Sequence, residues 1–164
     1  MRIRKATIKD AEQLFNLYET GFLKPDLILT DPDKSEHNIE NEKEMIAEHS
    51  QGNNLYLVAE DGNQIIANLI FTGGKYRKDK HSGKFEIFIR NEFRGQGVGE
   101  KLVKKLLSWA KTAKIKRIEL EVWSNNLPAI TLYKKLGFKI EGKRKKQYKI
   151  RKKYVDGILM AKII

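Results

Sequence analysis

The chain has 164 residues, of which 40% are apolar and 33% are charged, a composition typical of a globular protein with a substantial core. It contains no cysteine, which excludes disulfides and thiolate metal ligands, and its three histidines (His37, His49 and His81) are not at metal-ligand spacing. No apolar run approaches the roughly 20 residues of a membrane span, and the basic start lacks the apolar stretch of a signal peptide, so we expect a cytoplasmic protein without a metal.

The net charge of +12 is concentrated in one segment near the end of the chain. Between Lys134 and Lys153 there are eleven Lys or Arg residues and a single acid, Glu141. Such a segment is typical of proteins that meet a polyanion, such as nucleic acid, the ribosome or an acidic ligand. A solvated, lysine-rich hairpin that keeps the protein soluble fits the same pattern, so both interpretations stay open.

The first third of the chain reads as a strand and two helices separated by an irregular segment. The opening MRIRKAT alternates as a strand, and Asp10 is placed to cap a helix that continues through Tyr18. Pro25 and Pro32 disfavour long regular structure in the stretch that follows. A polar helix is then predicted over 39–49.

A β-hairpin is predicted next. The apolar runs NLYLVAE and QIIANLIFT are joined by Asp61-Gly62-Asn63, a strong signal for a tight turn between antiparallel strands. The polar stretch GGKYRKDKHSG reads as a loop, and KFEIFIR, at 84–90, reads as the following strand.

The last part of the chain alternates helices and strands. A helix follows the glycine-rich residues 95–99, with apolar side chains on one face and lysines on the other. KRIELEVW alternates as a strand, and a short helix with Pro128 in its first turn ends at Gly137. FKIEGKRKKQYKI and YVDGILMAKI close the chain as two strands. This order predicts a mixed α/β fold with a strand–helix–strand–helix–strand unit at its centre, and we expect one domain over 1–164.

The glycine-rich turn, RGQGVG at 94–99, lies at the start of a predicted helix. A nucleotide-hydrolase phosphate loop requires Gly-Lys-Ser or Gly-Lys-Thr, which is absent, and the dinucleotide fingerprint fails on its spacing. A glycine turn at a helix N-terminus nevertheless exposes backbone N–H groups to an anion, which the helix dipole favours, and Arg94 adds a positive charge. The turn therefore predicts a phosphate or pyrophosphate site. The alternative is a tight turn with close strand–helix packing and no ligand.

Two motifs in this chain resemble those of one enzyme superfamily. RGQGVG at 94–99 is similar to the R/Q-x-x-G-x-G/A signature of the GNAT N-acetyltransferase superfamily. NNLPAITLYKKLGF at 125–138 is similar to its second signature, with an Asn three residues before Ala and seven before Tyr, followed by Gly-Phe. The order of predicted elements also agrees over nearly the whole chain.

The resemblance implies a fold and a reaction. The fold is α/β, with a central mixed, splayed sheet of six to seven strands flanked by about four helices. The reaction is direct transfer of the acetyl group from acetyl-CoA to a primary amine of a small molecule or of a peptide or protein N-terminus, without a metal. A homodimer is compatible with such a fold, and the sequence offers no test of it.

The resemblance also implies which residues hold acetyl-CoA. In this family the pyrophosphate sits on the backbone amides of the glycine turn, and the preceding strand offers backbone groups to the pantetheine arm. Carried over, the cofactor-binding residues are Ile87, Phe88, Ile89, Arg94, Gly95, Gln96, Gly97, Val98, Gly99, Glu100 and Asn126. Three of these residues have structural alternatives, because Ile87 and Ile89 also fit a core strand and Asn126 also fits a helix N-cap.

The catalytic residues are likewise implied by the resemblance. Tyr133 matches the general acid that protonates the departing CoA sulfur, although it also fits a buried aromatic on the helix face. Glu121 stands where ribosomal-protein alanine acetyltransferases of this superfamily carry a catalytic glutamate, and strand alternation places it opposite the apolar face of its strand. The alternative for Glu121 is an ordinary strand carboxylate paired with one of the many lysines. Many relatives use only a water chain as the base, without a dedicated residue. Glu86 and His81 are further candidates.

The acceptor is not defined by the resemblance. The basic segment from Lys134 to Lys153 argues against polyamines and favours an acidic small molecule, an acidic peptide or a protein N-terminus displayed on the ribosome. Two other function classes remain. A non-catalytic acyl-CoA sensor is disfavoured by the intact Tyr133 and Asn126, and a basic nucleic-acid-binding module is disfavoured by the lack of a binding motif.

Overall fold

The computed structural model of the protein describes residues 1–22, 38–150 and 152–164, so the predicted irregular segment with Pro25 and Pro32 lies outside the described residues. The strands are β1 Arg2–Lys5, β2 Leu55–Asp61, β3 Gln64–Gly73, β4 Ser82–Ile89, β5 Arg117–Trp123, β6 Lys139–Ile150 and β7 Lys153–Ile163. The helices of the described part are α1 Ala11–Phe22, α2 Ile39–Glu48, α3 Val98–Thr112 and α4 Leu127–Lys135.

Within the described residues the sheet has seven strands, in the order β1-β2-β3-β4-β5-β7-β6. It is mixed, because β4 and β5 pair in parallel while the pairs β1–β2, β2–β3, β5–β7 and β6–β7 are antiparallel. The predicted mixed sheet of six to seven strands is therefore confirmed at seven. The chain divides into two compact units, unit 1 with Met1–Thr72 and Glu86–Leu106, and unit 2 with Gly73–Phe85 and Leu107–Ile164.

Unit 1 is built on the antiparallel strands β1, β2 and β3. The predicted hairpin is confirmed, since Asp61 pairs with Gln64 across a two-residue turn in which Gly62 has a φ of +58°. Its core joins α1 and α2 to the sheet through buried apolar side chains. These are Ala11, Leu14, Leu17, Ile46, Tyr56, Val58, Ile65 and Phe88.

A buried polar chain also links α1 and α2 to the sheet in unit 1. Tyr56 Oη donates to Glu42 Oε1 at 2.5 Å, and Asn68 Nδ2 donates to Tyr18 Oη at 2.6 Å and to Tyr56 Oη at 3.0 Å. Burial raises the pKa of Tyr18 to about 12 and holds the pKa of Tyr56 well above its usual value. Both phenols therefore stay protonated at neutral pH and can donate or accept within this chain.

The start of α1 differs from the predicted N-cap at Asp10. A single 3-10 turn, Ile8–Asp10, precedes α1, and Thr7 caps that turn. The Asp10 carboxylate accepts hydrogen bonds from the Thr7 backbone N–H at 2.7 Å and from both terminal nitrogens of Arg4 at 2.7 and 2.8 Å. Asp10 thus closes the turn from inside and ties it to β1.

We expect this carboxylate to make the stability of the fold depend on acid pH. Burial raises the pKa of Asp10, but hydrogen bonds from Arg4 and Thr7 outweigh burial, so its net pKa lies below the ordinary value. A carboxyl whose pKa is lower in the folded than in the unfolded chain stabilises the fold above the unfolded value, about 4, and loses that effect as pH falls through the folded value. Urea unfolding should show a steeper loss of stability below pH 4 in the wild type than in Asp10→Asn.

The matched control is Asp61→Asn, because Asp61 is half-exposed and pairs with the terminal amine of Met1. An exposed pair of this kind contributes about 0–1 kcal/mol, so this variant should follow the wild-type curve. Parallel curves for the wild type and Asp10→Asn would contradict the role given to Asp10.

Unit 2 contains the start of β4 and the strands β5, β7 and β6. The parallel register runs from Ser82 opposite Arg117 to Lys84 opposite Glu119, so β4 begins two residues earlier than predicted. Along β5 the side chains of Ile118, Leu120 and Val122 are buried, as the alternation predicts, and Glu119 and Glu121 take the other face. The predicted end of α4 is also confirmed, since Gly137 follows it with a φ of +87°.

In the part of the chain that the structure describes, no helix is both long enough and apolar enough to cross a membrane.

Candidate active site

The glycine turn of unit 1 has the backbone that its sequence predicts. Gly95 and Gly97 have φ values of +73° and +77°, in the left-handed region that side chains with a Cβ disfavour. A Cβ built on either glycine would have no heavy atom within 4 Å. Close packing against a strand therefore does not explain these two glycines, and the space beside the turn is open.

The start of α3 presents an electropositive surface next to this turn. Val98 begins a 15-residue helix, whose first backbone N–H groups lack partners within the helix and lie at the positive end of its dipole. The exposed Arg94 donates from Nε to the Ile89 carbonyl at 3.1 Å, and local desolvation lowers the pKa of Arg94 without removing its charge at neutral pH. Glu100 in the first turn is paired with Lys104 at 2.8 Å, which offsets its negative charge.

The end of β4, which precedes the turn, is partly core. Phe88 is buried, with its ring 5.8 Å from that of Tyr18, whereas Ile87 and Ile89 are only half-buried. The Ile89 carbonyl already accepts from Arg94, and Gln96 Nε2 donates to the Glu92 carbonyl at 2.7 Å. Unit 1 thus brings together the predicted strand residues, Arg94 and the glycine turn.

Glu121 is the centre of a polar cluster in unit 2. Its Oε2 accepts from Arg144 Nη1 at 3.0 Å, and its Oε1 accepts from Tyr148 Oη at 2.8 Å. The carboxylate lies over Gly157 of β7, where an added Cβ would overlap Oε1. Glu121 is ion-paired, as its structural alternative predicts, but its partner is an arginine rather than one of the many lysines.

Tyr133 is a buried aromatic residue, as one of its two interpretations predicts. It is 5% exposed, and its ring lies 5.7 Å from Phe85 and 5.9 Å from Phe138. Within the described residues its hydroxyl has no hydrogen-bond partner, and burial raises the pKa of Tyr133 to about 12. The phenol is therefore protonated throughout the neutral range, as a proton donor must be.

Asn126 is the N-cap of α4, as its structural alternative predicts. Its Oδ1 accepts from the Ala129 backbone N–H at 3.3 Å, and Pro128 occupies the first turn. Its Nδ2 has no partner in the described part of the chain, so capping leaves a donor available.

Two further candidates for the general base were named from the sequence. Glu86 and His81 are both exposed. Among the described residues, no three His, Cys, Asp or Glu side chains are grouped so that they could hold a metal ion. Arg144 and Gly157 were not singled out from the sequence, although Glu119 and Glu121 share one face of β5 and indicate a polar surface there.

Comparison with known families shows which family the chain belongs to. The family model described as the Acetyltransferase (GNAT) family matches residues 11–138, which is most of the chain. The chain belongs to the GNAT family of acetyltransferases. The match covers both motifs, the glycine turn and the segment around Asn126 and Tyr133.

Two curated GNAT relatives differ in the acceptors that they are named for. An L-amino acid N-acetyltransferase of Escherichia coli is 32% identical over 108 residues, covering 65% of this chain and 67% of the relative. A spermine/spermidine N(1)-acetyltransferase of Bacillus subtilis is 36% identical over 72 residues, covering 42% of this chain and 47% of the relative. The match to the second relative thus spans about half of its length.

Solved structures confirm the GNAT fold. A GNAT-family acetyltransferase from Streptococcus pneumoniae superposes with a TM-score of 0.93 at 28% identity, over 99% of each chain. The yncA protein of Salmonella typhimurium, solved with its cofactor acetyl-CoA, superposes with a TM-score of 0.88 over 99% of this chain and 92% of its own, at 18% identity. At this identity, the similarity to the yncA structure shows a shared fold and nothing more.

Proposed function

We propose that this protein transfers the acetyl group of acetyl-CoA to a primary amine, of a small molecule or of a peptide or protein N-terminus. The observation that carries the proposal is the glycine turn. Gly95 and Gly97 leave open space at the N-terminus of a 15-residue helix, beside Arg94, in a chain of the GNAT family. A pyrophosphate is the kind of group that such a turn holds.

The residues present fit acetyl-CoA as co-substrate. The backbone N–H groups from Gly95 to Glu100 and the Arg94 guanidinium would hold the pyrophosphate, and the backbone of 87–89 would meet the amide groups of the pantetheine arm. Asn126 would contribute its unpartnered Nδ2 while its Oδ1 keeps the helix cap. In this proposal the whole chain, 1–164, acts as a single N-acetyltransferase domain in the cytoplasm.

The proposed reaction needs a proton acceptor and a proton donor from the protein. Glu121 takes a proton from the acceptor ammonium, so that the nitrogen has a free electron pair to attack the thioester carbonyl carbon. A C–N bond forms, the C–S bond breaks, and the sulfur leaves with the electron pair of that bond. Tyr133 gives its phenolic proton to the sulfur, and the second amine proton returns to solvent. Exchange through solvent then removes the proton from Glu121 and returns one to the Tyr133 phenolate, so that both residues regain their starting states. The products are an amide, the free CoA thiol and one released proton.

Binding and turnover together test this function. We expect acetyl-CoA to raise the melting temperature, because a ligand that binds only the folded state stabilises it. We also expect release of the CoA thiol when an amine acceptor is added. Absence of both effects would contradict the proposal. Stabilisation without thiol release from any amine would favour the acyl-CoA sensor instead.

A second proposal concerns the basic segment from Lys134 to Lys153. Most β6 side chains in this segment are exposed, and Lys146 and Lys149 lie 5.6 and 5.9 Å from the ring centre of the exposed Tyr154. This surface would suit an acidic partner or the ribosome. This proposal is supported if the protein binds RNA and the affinity falls steeply as the salt concentration rises. If no such salt-dependent binding is found, the segment is a solvated edge strand without a polyanionic partner.

A further inference from the structure

Glu121 and Arg144 place opposite charges side by side on a partly exposed face of unit 2. Glu121 Oε2 and Arg144 Nη1 are 3.0 Å apart, and the two side chains are 23% and 53% exposed. The pair joins β5 to β6, which are both neighbours of β7. An ion pair this exposed contributes little to the stability of the fold, so a contribution to stability does not explain why the pair is present.

The pair retains unused hydrogen-bonding capacity on both sides. A carboxylate accepts about four hydrogen bonds, and among the described residues Glu121 accepts from Tyr148 and Arg144. Arg144 uses Nη1, while its Nη2 and Nε have no partner among the described residues. A ligand that carries a cation next to an anion would satisfy both groups at once.

The geometry of the pair is fixed by its surroundings. Gly157 lets the Glu121 carboxylate lie against the backbone of β7, and a Cβ there would overlap Oε1. Tyr148 donates to the same oxygen, and its ring lies 5.9 Å from that of Trp123. Trp123 follows Glu121 by two residues and so shares its strand face. The half-buried aromatic pair gives the charged pair an apolar neighbour.

We propose that this ion pair recognises a free α-amino acid, which would be the acetyl acceptor. The inference rests on the proposed function and names its acceptor class. In an α-amino acid the ammonium and the carboxylate are bonded to one carbon, so their charges lie about 3 Å apart. That spacing matches the 3.0 Å between Glu121 and Arg144. The ammonium meets Glu121, and the carboxylate meets the remaining N–H groups of the Arg144 fork.

Other amines satisfy this pair less well. A polyamine has no carboxylate and brings further positive charge towards Arg144, while a peptide N-terminus presents a neutral amide where the carboxylate would bind. With either of these amines, the remaining N–H donors of Arg144 have no carboxylate to bind. A polar site rejects an analogue when the analogue leaves its hydrogen-bonding groups unpaired in this way. The ammonium is held beside Glu121, the residue proposed to take its proton, so recognition and deprotonation share one carboxylate.

A matched set of acceptors tests this inference on the wild-type protein. Thiol release is measured with several L-amino acids of apolar, aromatic and acidic side chain, with their carboxamides, and with the corresponding decarboxylated amines. We expect kcat/KM to be about 10–100-fold higher for the preferred amino acid than for its amide, which is the usual worth of a hydrogen bond to a charged group. The decarboxylated amine should be no better than the amide.

Three variants then test whether the effect depends on Arg144. In Arg144→Gln the ratio of acid to amide should fall towards one, a change that general damage to the site would not produce because it would lower both rates. In Lys145→Gln, which removes the same charge from the next residue of β6, the ratio should stay at the wild-type value. Arg144→Lys, which keeps the charge without the fork, should give an intermediate ratio.

The outcomes separate this inference from the proposed function. Amides or simple amines acetylated as well as the amino acids, or a ratio that Arg144→Gln does not change, would overturn the inference and leave acetyl transfer intact. The same holds if another amine is acetylated and no amino acid is. Loss of both acetyl-CoA binding and thiol release with every acceptor would instead overturn the proposed function.

Discussion

Replacing Tyr133 by phenylalanine should lower kcat by about 10²–10⁴-fold, the usual contribution of a general acid, while the KM for acetyl-CoA changes little. The phenyl ring keeps the contacts with Phe85 and Phe138, and no hydrogen bond among the described residues is lost with the hydroxyl. The variant should therefore fold as well as the wild type. Steady-state thiol release, with circular dichroism melting alongside, measures both quantities.

The pH profile gives a second readout for the same residue. Because burial raises the pKa of Tyr133 to about 12, the phenol stays protonated and the rate should show no decline between pH 7 and 10 that depends on Tyr133. Tyr76→Phe is the matched control, since Tyr76 is 76% exposed and has no proposed part in the reaction. A Tyr133→Phe variant with a wild-type kcat would remove the general acid from this account and favour a sensor.

Placing alanine at Gly97 should raise the KM for acetyl-CoA by about 10–100-fold. A Cβ at a φ of +77° costs about 1–2 kcal/mol in the backbone, and it would project into the open space that the pyrophosphate is proposed to occupy. Once the co-substrate saturates the enzyme, kcat should be close to that of the wild type. Kinetics over a range of acetyl-CoA concentrations separates the two parameters.

Gly62→Ala distinguishes ligand contact from backbone strain. Gly62 has a φ of +58° in the β2–β3 turn, and a Cβ there also meets no heavy atom within 4 Å. Gly62→Ala and Gly97→Ala should lose similar amounts of folding stability, and only Gly97→Ala should weaken the binding of acetyl-CoA. If the KM is unchanged in Gly97→Ala, the turn has no role in holding the co-substrate.

Elements defined by local signals were predictable from the sequence. The Asp61-Gly62-Asn63 turn, the apolar alternation of β5 and the end of α4 at Gly137 each depend on neighbouring residues alone, and the structure confirms all three. The start of α1 was mistaken because an Asp before a helix is ordinarily its cap. Here an extra 3-10 turn moves the cap to Thr7, and Arg4 from β1 binds Asp10.

The environment of the candidate site was less predictable, because it depends on strand register. Arg144 and Tyr148 lie 23 and 27 residues from Glu121 in sequence, and the β6–β7 register shifts between those two residues. Such a bulge changes which side chains share a face of the sheet, and no local sequence pattern predicts it. Burial of Glu42 in the otherwise polar α2 was hidden for a similar reason, since its partner Tyr56 lies on β2.

The most direct measurement uses acetyl-CoA with an isotope label in its acetyl group. Purified protein is incubated with this compound and an amine acceptor, and mass spectrometry follows the label. The account predicts that the label appears in an amide on the acceptor nitrogen, with one free CoA thiol for each amide formed and none of the label bound to the protein. Label that remains in the thioester, appears only as acetate, or stays attached to the protein would contradict direct acetyl transfer.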